Sequence, residues 1–495
     1  MEEAHALAPA SPGGQGLQEV ESGLTEPLLA MPLEQVLATP TQEAYRLLSL
    51  GWPIVVEEVI TFGSTVIAIG IVGRLGPLQL SIFSLARSVT NITGLSFLVG
   101  ATGGIDTFCS QTHGAGTYRQ VGVALQRGIY ITLVACLPVL LLYTQADRLL
   151  ALLGQDPDIA KAAGRYIRLY SPVLPLHGVV LCIYRYLLAQ GAAAYVMVAG
   201  AVFFAATGPI NSLLIFKLGL GLDGSALAAV ACDVVYLVVL ILLAAYHNLS
   251  KPPHIRPWQG WSWEAFLHWG PYLKVVVASI AMVVLDWWIA DVATLLGGML
   301  PDPETSLAAM GILYNLNALI FMLPFGLAFA VCARIGACLG AGQYKLAKLS
   351  AEVGTGMALS FMVIGAVVLL IARDSIARPF THDEDVLAAA ARIAPAMAVG
   401  LIAAAATAVQ LGVMRGCGRQ KYGALVNFFA NWVLGLPLLI LLAFKLKLGV
   451  AGLWWGQCIA NYVQAMVLAL MVARFDWTHE SRRAGRLVRR LSQRE

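Results

Sequence analysis

The sequence predicts an all-α integral membrane protein of twelve transmembrane helices, arranged as two pseudo-symmetric six-helix bundles. Three observations carry that prediction. Hydrophobic residues make up 59% of the 495 and charged residues only 12%, with a mean hydropathy of +0.75, far from the balance of a soluble domain. Apolar runs of the length that spans a hydrocarbon layer, roughly 20 residues, recur along the chain. Finally, the chain repeats itself. Gly114-Ala115-Gly116-Thr117-Tyr118 returns as Gly340-Ala341-Gly342-Gln343-Tyr344, and Lys217 to Gly224 is echoed by Lys445 to Gly452, 226 and 228 positions on.

In order, the candidate spans are 45–73, 80–104, 122–144, 165–188, 193–216 and 222–245, then 267–298, 306–333, 350–372, 387–413, 422–444 and 449–473. The domains follow: an acidic, disordered cytosolic tail over 1–43, a first lobe over 44–246, a cytosolic linker over 247–265, a second lobe over 266–474 and a basic cytosolic tail over 475–495. Residues 1–40 hold no lysine or arginine, so no basic start of a secretory signal peptide is present and the first span is expected to direct insertion. The basic tail has the pattern of a short amphipathic helix on anionic lipid or of a solvated segment that only sets orientation. Pro172 and Pro395 occupy matching places and predict paired bends in the fourth and tenth spans.

Arg119, Lys251, Arg256, Arg334, Lys345, Arg415, Arg419 and the arginines after Asp476 all fall on the side of the termini. Positive residues near span ends favour the cytosol, so both termini are expected there. Asn248-Leu249-Ser250 is a glycosylation sequon on that same side, and a glycan there would overturn the topology. The net charge of +4 is spread over short connections and a tail, which implies no nucleic-acid partner. Eight cysteines without a C-x-x-C pair read as small packing residues, with no metal and no cofactor.

Repeated helical bundles of this kind are a common build for secondary transporters. Ionisable side chains inside apolar runs then carry the chemistry, because a charge in the bilayer costs roughly 2.5 to 3.5 kcal/mol on the mildest scale and usually faces a cavity. Glu57 and Glu58 lie in the first span, Asp286 and Asp291 in the seventh, and each of these spans opens its half. Neighbours on a helix point about 100° apart, so one of Glu57 and Glu58 is expected at the periphery, and periodicity alone does not say which. Asp286 and Asp291 are about 140° apart and serve different surroundings. Asp286, Asp291 and Glu58 are the candidate coupling and cation-binding residues; Asn91, Trp287, Tyr314 and Asn315 are candidate cavity residues. Trp287 offers a ring for cation-π attraction to a flat cation, and interfacial anchoring is the equally ordinary role for it.

Several motifs, spread in order over roughly residues 40–475, point further: Asn91-Ile92-Thr93-Gly94, Asp106 to Gly114, Leu285-Asp286-Trp287-Trp288, Leu323-Pro324-Phe325-Gly326, Arg334 to Gly342, and Arg415-Gly416-Cys417-Gly418-Arg419-Gln420-Lys421. Together they resemble the multidrug and toxic compound extrusion family, its eukaryotic branch above all. The resemblance implies two lobes around a V-shaped central cavity and an antiporter that exports organic cations, xenobiotics or secondary metabolites in exchange for protons by alternating access. It also implies glutamates where this chain has Asp286 and Asp291, and an acid in the tenth span where this chain has Ala404. Conversely, a commonly uncharged first-span position falls on Glu58.

The mechanism expected is a competition, in which one carboxylate holds either an organic cation or a proton and not both. Sodium is an alternative coupling ion, since carboxylates and asparagines also bind it. A lipid or amphiphile flippase would carry a more cationic cavity. A membrane-embedded enzyme would need a catalytic constellation, and neither H-E-x-x-H nor Gly-x-Gly-Asp occurs. A monomer, in the plasma membrane or in a vacuolar or other organelle membrane, with small organic cations and the bilayer as its partners, completes the expectation.

Overall fold

The computed structural model describes residues 39–267, 269–300, 303–381 and 383–492. The acidic segment 1–38 and the Glu304 side chain lie outside the described residues. The first lobe comprises α1 (Pro40–Gly73), α2 (Pro77–Gly114), α3 (Tyr118–Thr144), α4 (Ala146–Leu152), α5 (Pro157–Tyr170), α6 (Val173–Ala189), α7 (Ala193–Lys217) and α8 (Gly221–Leu249). The second comprises α9 (Trp269–Gly297), α10 (Pro303–Gly340), α11 (Tyr344–Ala372), α12 (Glu384–Gly416), α13 (Gln420–Lys445) and α14 (Gly449–Ala473), followed by α15 (Trp477–Ser492). Among the described residues, eleven helices are long and apolar enough to cross a membrane, and α5 with α6, bent by 44° at their junction, makes a twelfth span.

That bend has a local cause. Pro172 lacks the N–H that would continue α5, and α6 restarts behind it. Its counterpart Pro395 lies inside the uninterrupted α12, so the matching prolines do not make matching breaks. The domain edges also shift. Residues 40–43, assigned to the tail, form the first turn of α1, closed by a capping box in which Thr39 and Gln42 exchange hydrogen bonds. Residues 247–249, assigned to the linker, complete α8. The basic tail is largely the helix α15, docked against the lobes.

The sequence echoes are structural echoes. After α2 and after α10 the chain turns through a left-handed glycine, Gly116 at φ +70° and Gly342 at φ +80°. The same hydrogen bonds close both turns: Thr117 N to Thr112 O at 3.1 Å, and Gln343 N to Cys338 O at 2.8 Å. The second echo ends α7 and α13 in π-helical turns, Leu213–Lys217 and Leu441–Lys445. In that turn Lys447, at φ 55°, takes the left-handed place held by Gly219 in the first half.

The lobes meet on the side that carries the termini. A Cβ at Gly114 would collide with the Ala337 carbonyl, one at Gly340 with the Gln111 carbonyl, and one at Gly336 with the Ser110 hydroxyl. The offset of 226 relates these contacts to one another, so a pseudo-two-fold axis runs past Ser110 and Gly336. Further out, Val55 packs on Gly326 as Ile280 packs on Gly100. Each lobe's opening helix therefore crosses to the other lobe. On the same side the buried Glu43 accepts from Arg334 Nε at 2.9 Å and Nη2 at 3.1 Å and from the Ser350 hydroxyl at 2.6 Å, tying α1 to α10 and α11.

Candidate functional site

In the second lobe, Asp286 is half-buried on α9 and its Oδ1 accepts from Gln464 Nε2 of α14 at 3.1 Å and from Asn431 Nδ2 of α13 at 3.5 Å. Gln464 also donates to Asn427 Oδ1 at 2.7 Å, and Asn427 donates to the Met282 carbonyl at 2.8 Å. Asn431 reaches this place because α13 is π-helical over Phe428–Gly435; the wider turn, a frequent mark of functional sites, also lets Trp432 Nε1 donate to the Leu285 carbonyl at 2.9 Å. The second Asp286 oxygen accepts nothing among the described residues, and the buried Asn431 Oδ1 and Gln464 Oε1 have no partner there either. The carboxylate thus keeps one free oxygen and has two uncommitted amide oxygens beside it. That arrangement suits a proton or a cation.

Asp291, a further turn and more along α9, is also half-buried but accepts no hydrogen bond among the described residues, so the two aspartates do serve different surroundings. Tyr314 packs its ring 4.8 Å from that of Trp454 within the second lobe. Asn315 is exposed and donates to its own helix at Gly311 O, 2.8 Å away. Trp287 is half-buried, whereas its neighbour Trp288 crosses to the first lobe, donating to the Ile92 carbonyl at 3.1 Å and to the Ser96 hydroxyl at 3.3 Å. Asn91 sits exposed at the start of the π-helical turn Asn91–Leu95 in α2.

Glu57 and Glu58 both belong to the first lobe and both are held. Glu57, the less favoured of the two on sequence grounds, is the enclosed one: it is 3% exposed, accepts from Tyr236 at 2.7 Å and from Thr61 at 2.9 Å, and packs on Gly200. Glu58 is half-buried and accepts from Tyr184 at 3.3 Å. The acids of the two lobes are not symmetry mates. Glu57 lies against Gly200 as Met282 lies against Gly423, which puts Thr61, not a glutamate, at the place equivalent to Asp286.

Between the lobes lies a charged plug that the sequence reading passed over. Asp106 of α2 pairs with Arg185 of α6, both buried. Arg185 and Arg415 stand 5.2 and 5.0 Å from the ring centre of Phe329 on α10. Thr107 donates to the Arg415 carbonyl at 2.6 Å and Gln111 to the Gly416 carbonyl at 2.9 Å, across the seam. Arg334 and Arg415, counted as loop cations, are buried in helices. Arg185 was legible as a lone charge between Tyr184 and Tyr186 in an apolar run; its partners were not.

A model of the MatE family matches residues 53–213 and 278–441, one segment in each lobe. Multidrug and toxin extrusion protein 1 of Rattus norvegicus is 34% identical over 446 residues, 90% of this chain and 78% of that protein. Protein DETOXIFICATION 17 of Arabidopsis thaliana is 33% identical over 465 residues, covering 94% and 97%. The crystal structure of the eukaryotic MATE transporter AtDTX14 superposes with a TM-score of 0.84 at 28% identity, covering 91% of this chain and 99% of that one. Matched in both lobes by the family model and along nearly its whole length by relatives more than 30% identical to it, this chain belongs to the MATE family of multidrug and toxin extrusion transporters.

Proposed function

We propose that this transporter is an antiporter that exchanges organic cations for protons at Asp286, with the side of the termini in the cytosol. The observation that carries the reading is the Asp286 carboxylate, held on one oxygen by two amides, with its other oxygen free and two uncommitted amide oxygens beside it. An ionised Asp286 attracts an organic cation; a proton on the same carboxylate cancels that attraction and releases the cargo, and the competition couples the two fluxes. Closure on the side of the termini corresponds to an outward-facing state in this orientation. The sequon asparagine agrees with a cytosolic placement, since Asn248 is spent on Trp258, donating to its carbonyl at 2.9 Å and accepting from its N–H at 3.0 Å.

The test is uptake of a fluorescent organic cation into proteoliposomes under an imposed pH gradient. Asp286→Asn should reduce gradient-driven exchange to background while the protein still inserts; near-normal exchange would refute the assignment. Glu58→Gln should weaken exchange and blunt its pH dependence, and full retention of both would confine coupling to the second lobe. Replacing the pH gradient by a sodium gradient distinguishes the two ions.

A further inference from the structure

The basic helix α15 lies on the side of the termini with its two faces put to different uses. Trp477, Ala484 and Val488 are buried, and Leu487 packs on the first lobe. On the other face Arg482, Arg486 and Arg489 follow at helical spacings of four and three, with Arg490 beside them, and all four are exposed. None of the four forms an ion pair or hydrogen bond among the described residues. The nearby acids are already committed: Glu480 holds Arg419 and Arg483, and the Asp476 carboxylate accepts from the N–H groups of Thr478 and His479. Five arginines against one glutamate over Trp477–Ser492 leave α15 strongly cationic. A helix that dips into a bilayer needs its apolar side free; here that side is occupied by the lobes, so the arginines face outward without a membrane anchor.

The same chain carries the opposite charge at its other end. Residues 1–38 hold six glutamates and no aspartate, lysine or arginine, and α1, which follows them, enters the fold close to α15. Glu43, in the first turn of α1, is held by Arg334 of α10, and Ser481 of α15 donates to the Leu339 carbonyl of the same α10 at 3.3 Å. The two anchor points are five residues apart on α10, about 7.5 Å along the helix. Glu34 precedes Thr39 by five residues, at most about 18 Å of chain, and Glu26, Glu21 and Glu19 come next, within reach of any point on a helix about 24 Å long. Exposed ion pairs are individually weak, but a tether of this length holds the segment at an effective concentration on the order of millimolar, so several pairs together suffice. We infer that the arginine face of α15 is the docking surface for this chain's own acidic segment, residues 1–38, which clasps the helix that straddles the seam. The inference does not rest on exchange at Asp286, nor on which side of the membrane the termini occupy.

The experiment measures the distance between nitroxide labels at Ser22→Cys and Gly485→Cys in the full chain, in phosphatidylcholine nanodiscs at low salt. A side chain at Gly485 meets nothing within 4 Å, and the eight native cysteines are buried, which confines labelling to the new ones. Double electron–electron resonance should give a short, narrow distribution, and about 0.5 M sodium chloride should lengthen and broaden it. Arg482→Gln, Arg486→Gln, Arg489→Gln and Arg490→Gln together should do the same at low salt. So should Glu19→Gln, Glu21→Gln and Glu26→Gln together, a set that leaves α15 intact should the arginine variant undock it. Amide hydrogen exchange across α15 should rise severalfold with the glutamate set, because the clasp steadies the helix. A broad distribution in the chain carrying the labels alone, or one that neither set of substitutions changes, would overturn the proposal. Loss of the short distance when phosphatidylserine is added to the discs would overturn it too, since the arginines would then belong to anionic lipid.

Discussion

Glu43 shows what a single residue contributes to joining the lobes. It is completely buried, yet its carboxylate is saturated by Arg334 and Ser350, with Arg46 3.8 Å away. Removing one partner of a buried pair costs on the order of 3–5 kcal/mol, because the other charge stays behind unpaired. Glu43→Gln is therefore expected to lower the thermal unfolding midpoint by several degrees and to weaken closure on the side of the termini; an unchanged midpoint would mean that Arg334 finds another partner. From the sequence Glu43 was the last residue of an acidic tail, since nothing in its neighbourhood announces a partner 291 positions away. Asp286 was legible for the opposite reason: a charge in a long apolar run stands out whatever surrounds it.

At the scale of elements, glycines set how closely helices approach and π-helical turns set which side chains face the site. Gly114 and Gly340 let α2 and α10 cross with backbone against backbone, and Gly336 makes room for the Ser110 side chain. Gly340→Val would push its branched side chain into the Gln111 carbonyl and hold the seam apart. The buried Cys332, close to Asp106 of one lobe and Arg415 of the other, should then react with N-ethylmaleimide faster than in the unaltered protein, by mass spectrometry of the alkylated peptide, and an unchanged rate would show that the helices accommodate the bulk. The π-helical stretch Phe428–Gly435 has no counterpart in α7, although the turns that follow both helices match. Hydropathy marks a span there but not the extra residue per turn that swings Asn431 toward Asp286, because apolar composition is indifferent to helical pitch.

Over the whole molecule, α15 straddles the seam. Trp477 and Ala484 join the core of the second lobe, while Leu487 packs against that of the first. Glu480, buried under the helix, takes Arg419 Nη2 at 2.5 Å and Arg483 Nη1 at 3.3 Å, and this carboxylate holds the Arg419 guanidinium above its ordinary range. Arg482, Arg486, Arg489 and Arg490 remain exposed. A helix so placed should slow opening toward the termini. Glu480→Gln is expected to raise amide hydrogen exchange across α15 at least several-fold while leaving α12 protected; equal protection in both proteins would show that apolar contacts alone hold the helix. Of the two readings of this tail, a lipid-bound helix or a solvated segment, neither anticipated that its apolar side lies on both lobes.

Span number, the doubling of the bundle, the matched turns and the presence of acids within the spans all follow from the sequence alone. Each is a local property: a bilayer requires some 20 apolar residues at a stretch, and a left-handed turn favours glycine wherever it occurs. Tertiary structure alone decided that Glu57 is the enclosed glutamate, that Gln464 and Asn431 hold Asp286, and that Arg185, Arg415 and Phe329 meet between the lobes. A helical period says which residues share a face but not which helix that face meets, and burial and hydrogen bonding are properties of the meeting.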